Sequence, residues 1–283
     1  MEIGFLVDLD QDHPGFRDTH YRSQRDEIAR LATDYLKSRE LGQEVEIPVI
    51  HYEQHQHELW NHLYTTILPR YKDFAVKEVY DGLLALNLNP SQIPTLSSVN
   101  AALIKKTGFQ VTPVSGLVSS RYFFSSLQNR EFYCTQYIRH HSKPDFTPEP
   151  DICHDVIGHV PLLMDSDIAR CYVQFAKAAV KASDEQIKKL ENLYWFTVEY
   201  GLVYEDDKLK TWGAGNLSSY ADIKRCVDKN IVEHIAFDIE RMCSTNYDPT
   251  IQQPRLFVAE SLSKALQDLG TYFQIEYDIE DDL

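Results

Sequence analysis

The sequence predicts a mainly α-helical fold with a few short β-strands, arranged as one compact domain over 1–283. Three observations carry this expectation. Apolar residues recur at helical spacing along most of the chain. Strand-like runs rich in aromatic and β-branched residues are few and short. No linker, internal repeat or low-complexity stretch divides the 283 residues, a length able to bury one sizeable core.

The elements follow in order. Ile28, Leu31, Ala32, Tyr35 and Leu36 mark the buried stripe of a first amphipathic helix. Two more helices are expected over 52–68 and 72–86, the second stopped by Asn87-Leu88-Asn89-Pro90. A fourth runs over 97–106 and ends at Gly108. Residues 131–138, rich in Phe, Tyr and Thr, read as a strand. From 139 to 160 the chain turns irregular, with Pro144, Pro148 and Pro150 inside and Pro161 just beyond. Long irregular stretches within compact domains are often functional. A helix over 184–201 starts near Asp184 and stops at Gly201. A short strand over 209–212 precedes Gly213-Ala214-Gly215, and a last helix covers 258–273. The ends, 1–11 and the acidic 276–283, are expected to fray.

Composition narrows the function classes. The chain has 28 basic and 43 acidic residues, a formal charge of −15. Such a balance argues against nucleic acid and against anionic membrane surfaces as partners. No stretch is long and apolar enough for a membrane span. The acidic start lacks the basic n-region of a signal peptide, so a cytoplasmic protein is expected. Cys134, Cys153, Cys171, Cys226 and Cys243 form no CxxC pair, which fits reduced thiols better than a disulfide framework. Seventeen Tyr and 13 Phe make the chain rich in aromatic residues, with no reason yet visible.

Chemistry concentrates in two places. In Asp151-Ile-Cys-His154-Asp155-Val-Ile-Gly158-His159, the histidines lie five residues apart. On an ideal α-helix they point about 140° apart, so they reach one metal only if the helix is distorted or ends between them. Gly158 and Pro161 suit such a distortion. Glu199 is the one acid in the apolar and aromatic run Leu193-Tyr-Trp-Phe-Thr-Val-Glu199-Tyr. There it must be paired, protonated or bound to a metal. Two His and a carboxylate suit non-haem Fe(II), and on ligand type they also suit zinc. Spacing alone favours ordinary structural histidines and a helix-face glutamate. His51, His55, His57, Glu58 and His62 crowd another segment, which reads as a solvated helix face without a catalytic role.

The segment Thr147-Pro-Glu-Pro-Asp-Ile-Cys-His154-Asp-Val-Ile-Gly-His159-Val-Pro-Leu resembles the iron-binding signature of the pterin-dependent aromatic amino acid hydroxylases. The resemblance continues through Tyr194-Trp-Phe-Thr-Val-Glu199-Tyr-Gly and Gly213-Ala-Gly-Asn-Leu-Ser218-Ser. It extends upstream to Val114-Ser-Gly-Leu-Val-Ser-Ser-Arg121 and Thr135-Gln-Tyr-Ile-Arg139-His, and more weakly over nearly the whole chain. It implies that His154, His159 and Glu199 bind one Fe(II), with a tetrahydropterin cosubstrate, O₂ and an aromatic amino acid as reactants. By the same resemblance Arg139 holds the substrate carboxylate and Asp151 orients that arginine. Thr147 and Ser218 offer hydroxyls near the headgroup, and Trp195 and Pro150 line the ring pocket. Phe123 stacks on the pterin. The pterin edge meets the backbone of Gly116, Leu117 and Val118, with Ser120, Asp155 and Tyr194 nearby. Read without the resemblance, Arg139 is a structural arginine, Asp151 a helix cap, and Phe123, Tyr194 and Trp195 plain core.

Some positions depart from the pattern of the animal enzymes. Asp155 follows the first histidine where those usually have Glu; several bacterial members share this Asp. Asn216 replaces an apolar residue. No regulatory domain or tetramerisation helix is expected, which suggests a monomer. Trp195 matches the phenylalanine and tyrosine enzymes, and Pro249 stands where tyrosine enzymes tend to have Asp, with Asp248 just before it. Phenylalanine is the expected substrate and tyrosine the product. The alternatives are tyrosine or tryptophan hydroxylation, or attack at another ring position. A zinc hydrolase built on the same three residues has only Asp155 as a candidate base. A binding protein with a degenerate site fits poorly with intact ligands and Arg139.

Overall fold

The structure, a computed structural model, describes residues 9, 11–145 and 149–279. Side-chain caps set where several helices begin. Asp18 accepts from the backbone N–H groups of His20 and Tyr21 to open α1 (Thr19–Glu40). α2 (Gln54–Phe74) and α3 (Lys77–Ala85) follow, and Thr95 caps α4 (Leu96–Lys106). β1 (Gln110–Pro113) and β2 (Glu131–Cys134) pair in parallel on either side of α5 (Ser120–Gln128) in sequence. A π-helical segment, His154–His159, runs into α6 (Val160–Leu163). Asp165 caps α7 (Ser166–Lys181). Ser183 and Gln186 form a reciprocal capping box on α8 (Asp184–Tyr194), which passes into a second π-helical segment, Trp195–Glu199.

The second half is built on a four-stranded sheet. β3 (Leu202–Glu205) and β4 (Lys208–Thr211) form a hairpin whose turn residues, Asp206 and Asp207, both take positive φ. Aspartate tolerates that region better than most residues. α9 (Ala214–Leu217), α10 (Asp222–Arg225), β5 (Glu233–Ala236), α11 (Ile239–Ser244), β6 (Arg255–Ala259) and α12 (Leu262–Tyr277) follow. The strand order is β4-β3-β6-β5, with β6 parallel to both neighbours. α7 packs between α5 and α12, and α8 packs on α11. The aromatic richness of the sequence goes largely into this core: Trp60, Tyr71, Phe109, Phe124, Tyr172, Phe175, Phe196, Trp212, Phe257 and Phe273 are fully buried.

The helical class is as expected, but several boundaries differ for physical reasons. The break expected near residue 70 is absent, because α2 runs through Pro69. Pro69 lies on the exposed face, while Ile67 and Tyr71 are buried, so packing outweighs the lost hydrogen bond. The strand expected over 131–138 stops at Cys134. Beyond it, buried carboxylates take the backbone donors that a strand would give to a neighbour. Thr135 N–H donates to Asp155 and Arg139 N–H to Asp151. The irregular stretch expected to reach residue 160 ends earlier, with helix resuming at Ile152. The helix expected over 258–273 is a central strand followed by a helix from Leu262, capped by Ser261. A strand buried on both faces reads as a continuous apolar run, which periodicity cannot separate from helix. Fraying does not begin at 276: Tyr277 ends α12, and both Tyr277 and Ile279 are buried. The expectations for residues 1–8, 10 and 280–283 lie outside the described residues.

The His154–His159 segment has an identifiable cause. In an α-helix the Ile157 carbonyl would accept from residue 161, which is proline and has no N–H. The hydroxyl of fully buried Tyr71 donates to it instead. Val160 N–H reaches back five residues to Asp155, which defines the wider turn. Tyr71→Phe is expected to destabilise the protein by about 1–3 kcal/mol, the usual cost of depriving a buried carbonyl of its donor. Urea unfolding checks this, and an unchanged midpoint contradicts it.

Candidate metal centre and adjoining cavities

The wider turn resolves the spacing problem set by the two histidines. A π-helix bonds residue i to i+5, so residues five apart lie above one another instead of about 140° apart. His154 and His159 begin and end this segment, and their Nε2 atoms are 3.1 Å apart. Glu199 ends the second π-helical segment. There the Thr197 hydroxyl donates to the Leu193 carbonyl at 2.6 Å, taking an acceptor within the helical ladder. One Glu199 oxygen lies 2.9 Å from His159 Nε2 and the other 3.7 Å from His154 Nε2. Among the described residues this is the one group of three or more His, Cys, Asp or Glu side chains whose ligand atoms converge, all within 4.8 Å.

The surrounding groups prepare the three side chains for a cation. His154 Nδ1 is 2.9 Å from the Ser218 hydroxyl, and His159 Nδ1 is 2.9 Å from the Tyr172 hydroxyl. With each Nδ1–H donated outward, each Nε2 lone pair is left for a metal. Burial lowers the His154 pKa to about 4, so the imidazole is neutral at pH 7. Burial alone would raise Glu199, but His159, His154 and the Gly215 N–H together hold it below the ordinary carboxylate value. Two imidazoles and one carboxylate form a sound donor set for a divalent ion, and ligand type admits both iron and zinc. A close approach locks the site together: a Cβ on Gly158 would lie 2.7 Å from the Ala214 carbonyl oxygen. That contact presses α9, which leads into Ser218, against the histidine segment.

Two cavities meet at His154. The larger, about 260 Å³, is lined by His154, His159 and Glu199 together with Gly116, Leu117, Val118, Ser120, Phe123, Pro150, Asp155, Tyr194 and Trp195. These residues, each singled out from the sequence, thus line one space. Trp195 is held by stacking on Tyr247, with centroids 4.1 Å apart, and by a 3.2 Å hydrogen bond from Nε1 to Gln253. Asp155 is buried and accepts from the Thr135 N–H at 2.7 Å and hydroxyl at 3.0 Å. Burial still raises its pKa to about 7. The Ser120 hydroxyl does not stand free in the cavity, because it donates to Glu191. Glu191 and Tyr247 also line this space and were not singled out from the sequence. Glu191 lies one turn before Trp195 and two before Glu199, and that i, i+4, i+8 pattern could have exposed it.

The smaller cavity, about 70 Å³, is lined by Arg139, His154, Ser218 and Pro249, among others. Arg139 and Asp151 form a buried pair, 3% and 0% exposed. Arg139 gives Nε and Nη2 to the two Asp151 oxygens at 2.9 and 2.8 Å, and Nη1 to the Pro144 carbonyl at 3.1 Å. A guanidinium has five N–H donors, so two remain for a ligand. Asp151 lines neither cavity and stands behind the arginine. Burial would raise its pKa, but the Arg139 charge and hydrogen bonds hold it below the usual carboxylate value. Asp248 points elsewhere, since its carboxylate accepts from the backbone and hydroxyl of Thr250. Thr147 lies outside the described residues. Of the histidine-rich segment, His57 accepts from the Ile93 N–H, while His55 and His62 sit at a surface hollow.

The family model for biopterin-dependent aromatic amino acid hydroxylases matches residues 3–279, and the chain belongs to that family. It is 38% identical to phenylalanine-4-hydroxylase of Rattus norvegicus over 288 residues, covering 98% of this chain and 62% of that protein. It is 41% identical to tyrosine 3-monooxygenase of Homo sapiens over 272 residues, covering 95% of this chain and 50% of that protein. The chain therefore spans between half and two thirds of the length of these relatives. Among solved structures, apo phenylalanine hydroxylase from Colwellia psychrerythraea superposes with a TM-score of 0.74 at 30% identity, covering 81% of this chain and 94% of that one. The Chromobacterium violaceum enzyme with bound iron(III) and 7,8-dihydrobiopterin gives 0.76 at 28% identity, covering 86% and 94%.

The Arg139–Asp151 pair yields a pH prediction. A carboxyl held below its unfolded value contributes stability that is present above about pH 3.9 and is lost as pH falls through the folded value. Asp151→Asn leaves a buried guanidinium unpaired and is expected to cost about 3–5 kcal/mol at neutral pH. The gap to the parent protein should stay level down to about pH 5 and narrow only in stronger acid. Urea unfolding at a series of pH values checks this, and a gap independent of pH throughout contradicts it.

Proposed function

We propose that the protein is an Fe(II)- and tetrahydropterin-dependent monooxygenase that hydroxylates the ring of L-phenylalanine to give L-tyrosine. The observation that carries this reading is the meeting of three metal donors with two cavities, one walled by aromatic residues and one by a buried arginine. His154, His159 and Glu199 would hold the iron. When bound, the iron and the pterin would supply the O₂ activation and reducing electrons that ring hydroxylation needs.

The chain's own residues bind, orient and exclude. Arg139 offers its two remaining donors to the substrate carboxylate, held in a fixed fork by Asp151. The Ser218 hydroxyl serves the same end of the substrate while it orients His154. Trp195 and Pro150 present flat surfaces to the ring, and Phe123 stacks on the pterin. Backbone groups of Gly116, Leu117 and Val118 meet the pterin edge. Asp155, pinned by Thr135, sets a polar boundary between the pterin and the metal. Tyr194 and the other aromatic walls keep bulk water away from the reacting atoms.

Trp195 favours phenylalanine or tyrosine over tryptophan, and Pro249, where tyrosine enzymes tend to have Asp, favours phenylalanine over tyrosine. The 41% identity to a tyrosine 3-monooxygenase supports tyrosine hydroxylation as the second reading. No helix among the described residues is long and apolar enough to cross a membrane. The five buried free cysteines support a reducing, cytoplasmic setting, and a single-domain monomer completes the reading.

The test is an assay of iron-loaded protein with tetrahydropterin and O₂, offered Phe, Tyr and Trp separately, with products identified by mass. Tyrosine from phenylalanine is the expected result. Zinc as the sole bound metal, with hydrolase activity, overturns the reading. His154→Ala and Glu199→Ala should each abolish iron binding and turnover while leaving the circular dichroism spectrum largely intact. Arg139→Lys should raise the KM for the amino acid about tenfold or more, because an ammonium cannot reproduce the planar fork. An unchanged KM removes Arg139 from the substrate site.

A further inference from the structure

We propose that Glu191 is a specificity-determining residue of the cosubstrate site. It selects a pterin with a neutral, hydroxyl-bearing side chain and turns away one with an anionic tail. The inference rests on the function proposed above and deepens it.

The larger cavity is lined by three carboxylates. Glu199 belongs to the metal donors, and Asp155 is satisfied by Thr135. Glu191 has neither use. It stands on α8 and is held from two sides. Ser120 of α5 donates its hydroxyl to one oxygen, and Lys188 Nζ lies 3.0 Å from the other. Lys188 is itself steadied over the Tyr247 ring, 5.3 Å from the centroid. Side-chain exposure is 24% for Glu191 and 58% for Lys188, so the carboxylate sits at the cavity rim with the lysine outside it.

A carboxylate fixed beside aromatic walls is costly to desolvate unless a bound group satisfies it. It is acceptor-only, with about four lone-pair positions, of which Ser120 and Lys188 take two. The remainder opens onto the cavity that Glu191 lines. With the pterin edge assigned to backbone and its face to Phe123, the donors left on the cosubstrate are those of its exocyclic side chain. Hydroxyls there can donate to Glu191. A tail ending in carboxylate or phosphate meets a like charge instead, and the exposed lysine offsets that repulsion only weakly.

Calorimetric titration of the iron-loaded protein tests this with three ligands: 7,8-dihydrobiopterin, 6-methyl-7,8-dihydropterin and dihydrofolate. The parent protein should bind dihydrobiopterin about tenfold tighter than the methyl analogue, the size expected for a hydrogen bond to a charged group. Dihydrofolate should bind most weakly. In Glu191→Ala the first ratio should fall toward one, and dihydrofolate should gain relative to the methyl analogue. Glu191→Gln keeps an acceptor without the charge, so it should retain part of the hydroxyl preference and lose the rejection of dihydrofolate. It also serves if the alanine variant fails to fold. Ratios unchanged in the variants overturn the proposal, as does an equal loss of affinity for all three ligands. If the parent protein binds no pterin at all, the function proposed above falls first, and this inference with it.

Discussion

One carboxylate ties the candidate site together. Asp151 accepts four hydrogen bonds: from the Arg139 backbone N–H at 2.7 Å, from Arg139 Nε and Nη2, and from the His154 N–H at 2.9 Å. It therefore fixes the arginine that would hold the substrate and the start of the helix that would hold the metal, using the same two oxygens. Glu149, two residues earlier, pairs with Arg25 of α1, whose guanidinium lies 4.0 Å from the centroid of the Tyr137 ring. Two buried ion pairs thus hold the 149–151 segment against the body of the protein. Each of these charges is expensive to bury and more expensive to leave alone, which makes the arrangement nearly all-or-none.

Much of this could be read from the sequence, and the parts that could not share a cause. The helical class, the start of the fourth helix near 97, the hairpin strand near 209 and the three candidate metal donors all rest on local signals: periodicity, caps and motif. What local signals miss is where a distant group takes over a backbone hydrogen bond. Asp155 ends β2 from 20 residues away, and Tyr71 supports the Ile157 carbonyl across 86 residues. The five-residue histidine spacing calls for a distorted helix, and Gly158 and Pro161 mark where it can occur; what the sequence does not show is the form of the distortion, a wider turn completed by the distant Tyr71 hydroxyl. Glu191 escaped because its neighbours on α8 read as an ordinary solvated face; its partner Ser120 is 71 residues away.

The aromatic richness gains a physical meaning here. Phe132, Tyr172 and Tyr194 surround His159, with the Phe132 ring centroid 4.7 Å from the imidazole. Phe123, Phe124 and Phe175 pack in turn on Tyr194. Such rings add packing area at little conformational cost and keep the dielectric low around the ligands. That environment holds His154 neutral and strengthens the 2.9 Å contact between His159 and Glu199. The same rings that stabilise the core therefore set the electrostatics of the metal centre, and the two contributions cannot be tuned independently.

His154 is a party wall between the two cavities. The residue lines both, and its Nδ1 is steadied by the Ser218 hydroxyl at 2.9 Å. Any tilt of that ring when one cavity fills changes the shape of the other. Thermodynamic linkage then makes the influence mutual: whatever factor an occupant of the smaller cavity applies to binding in the larger one is returned in equal measure. Cooperation between two different ligands thus needs no moving domain or second subunit in this fold, only one imidazole with a face in each compartment.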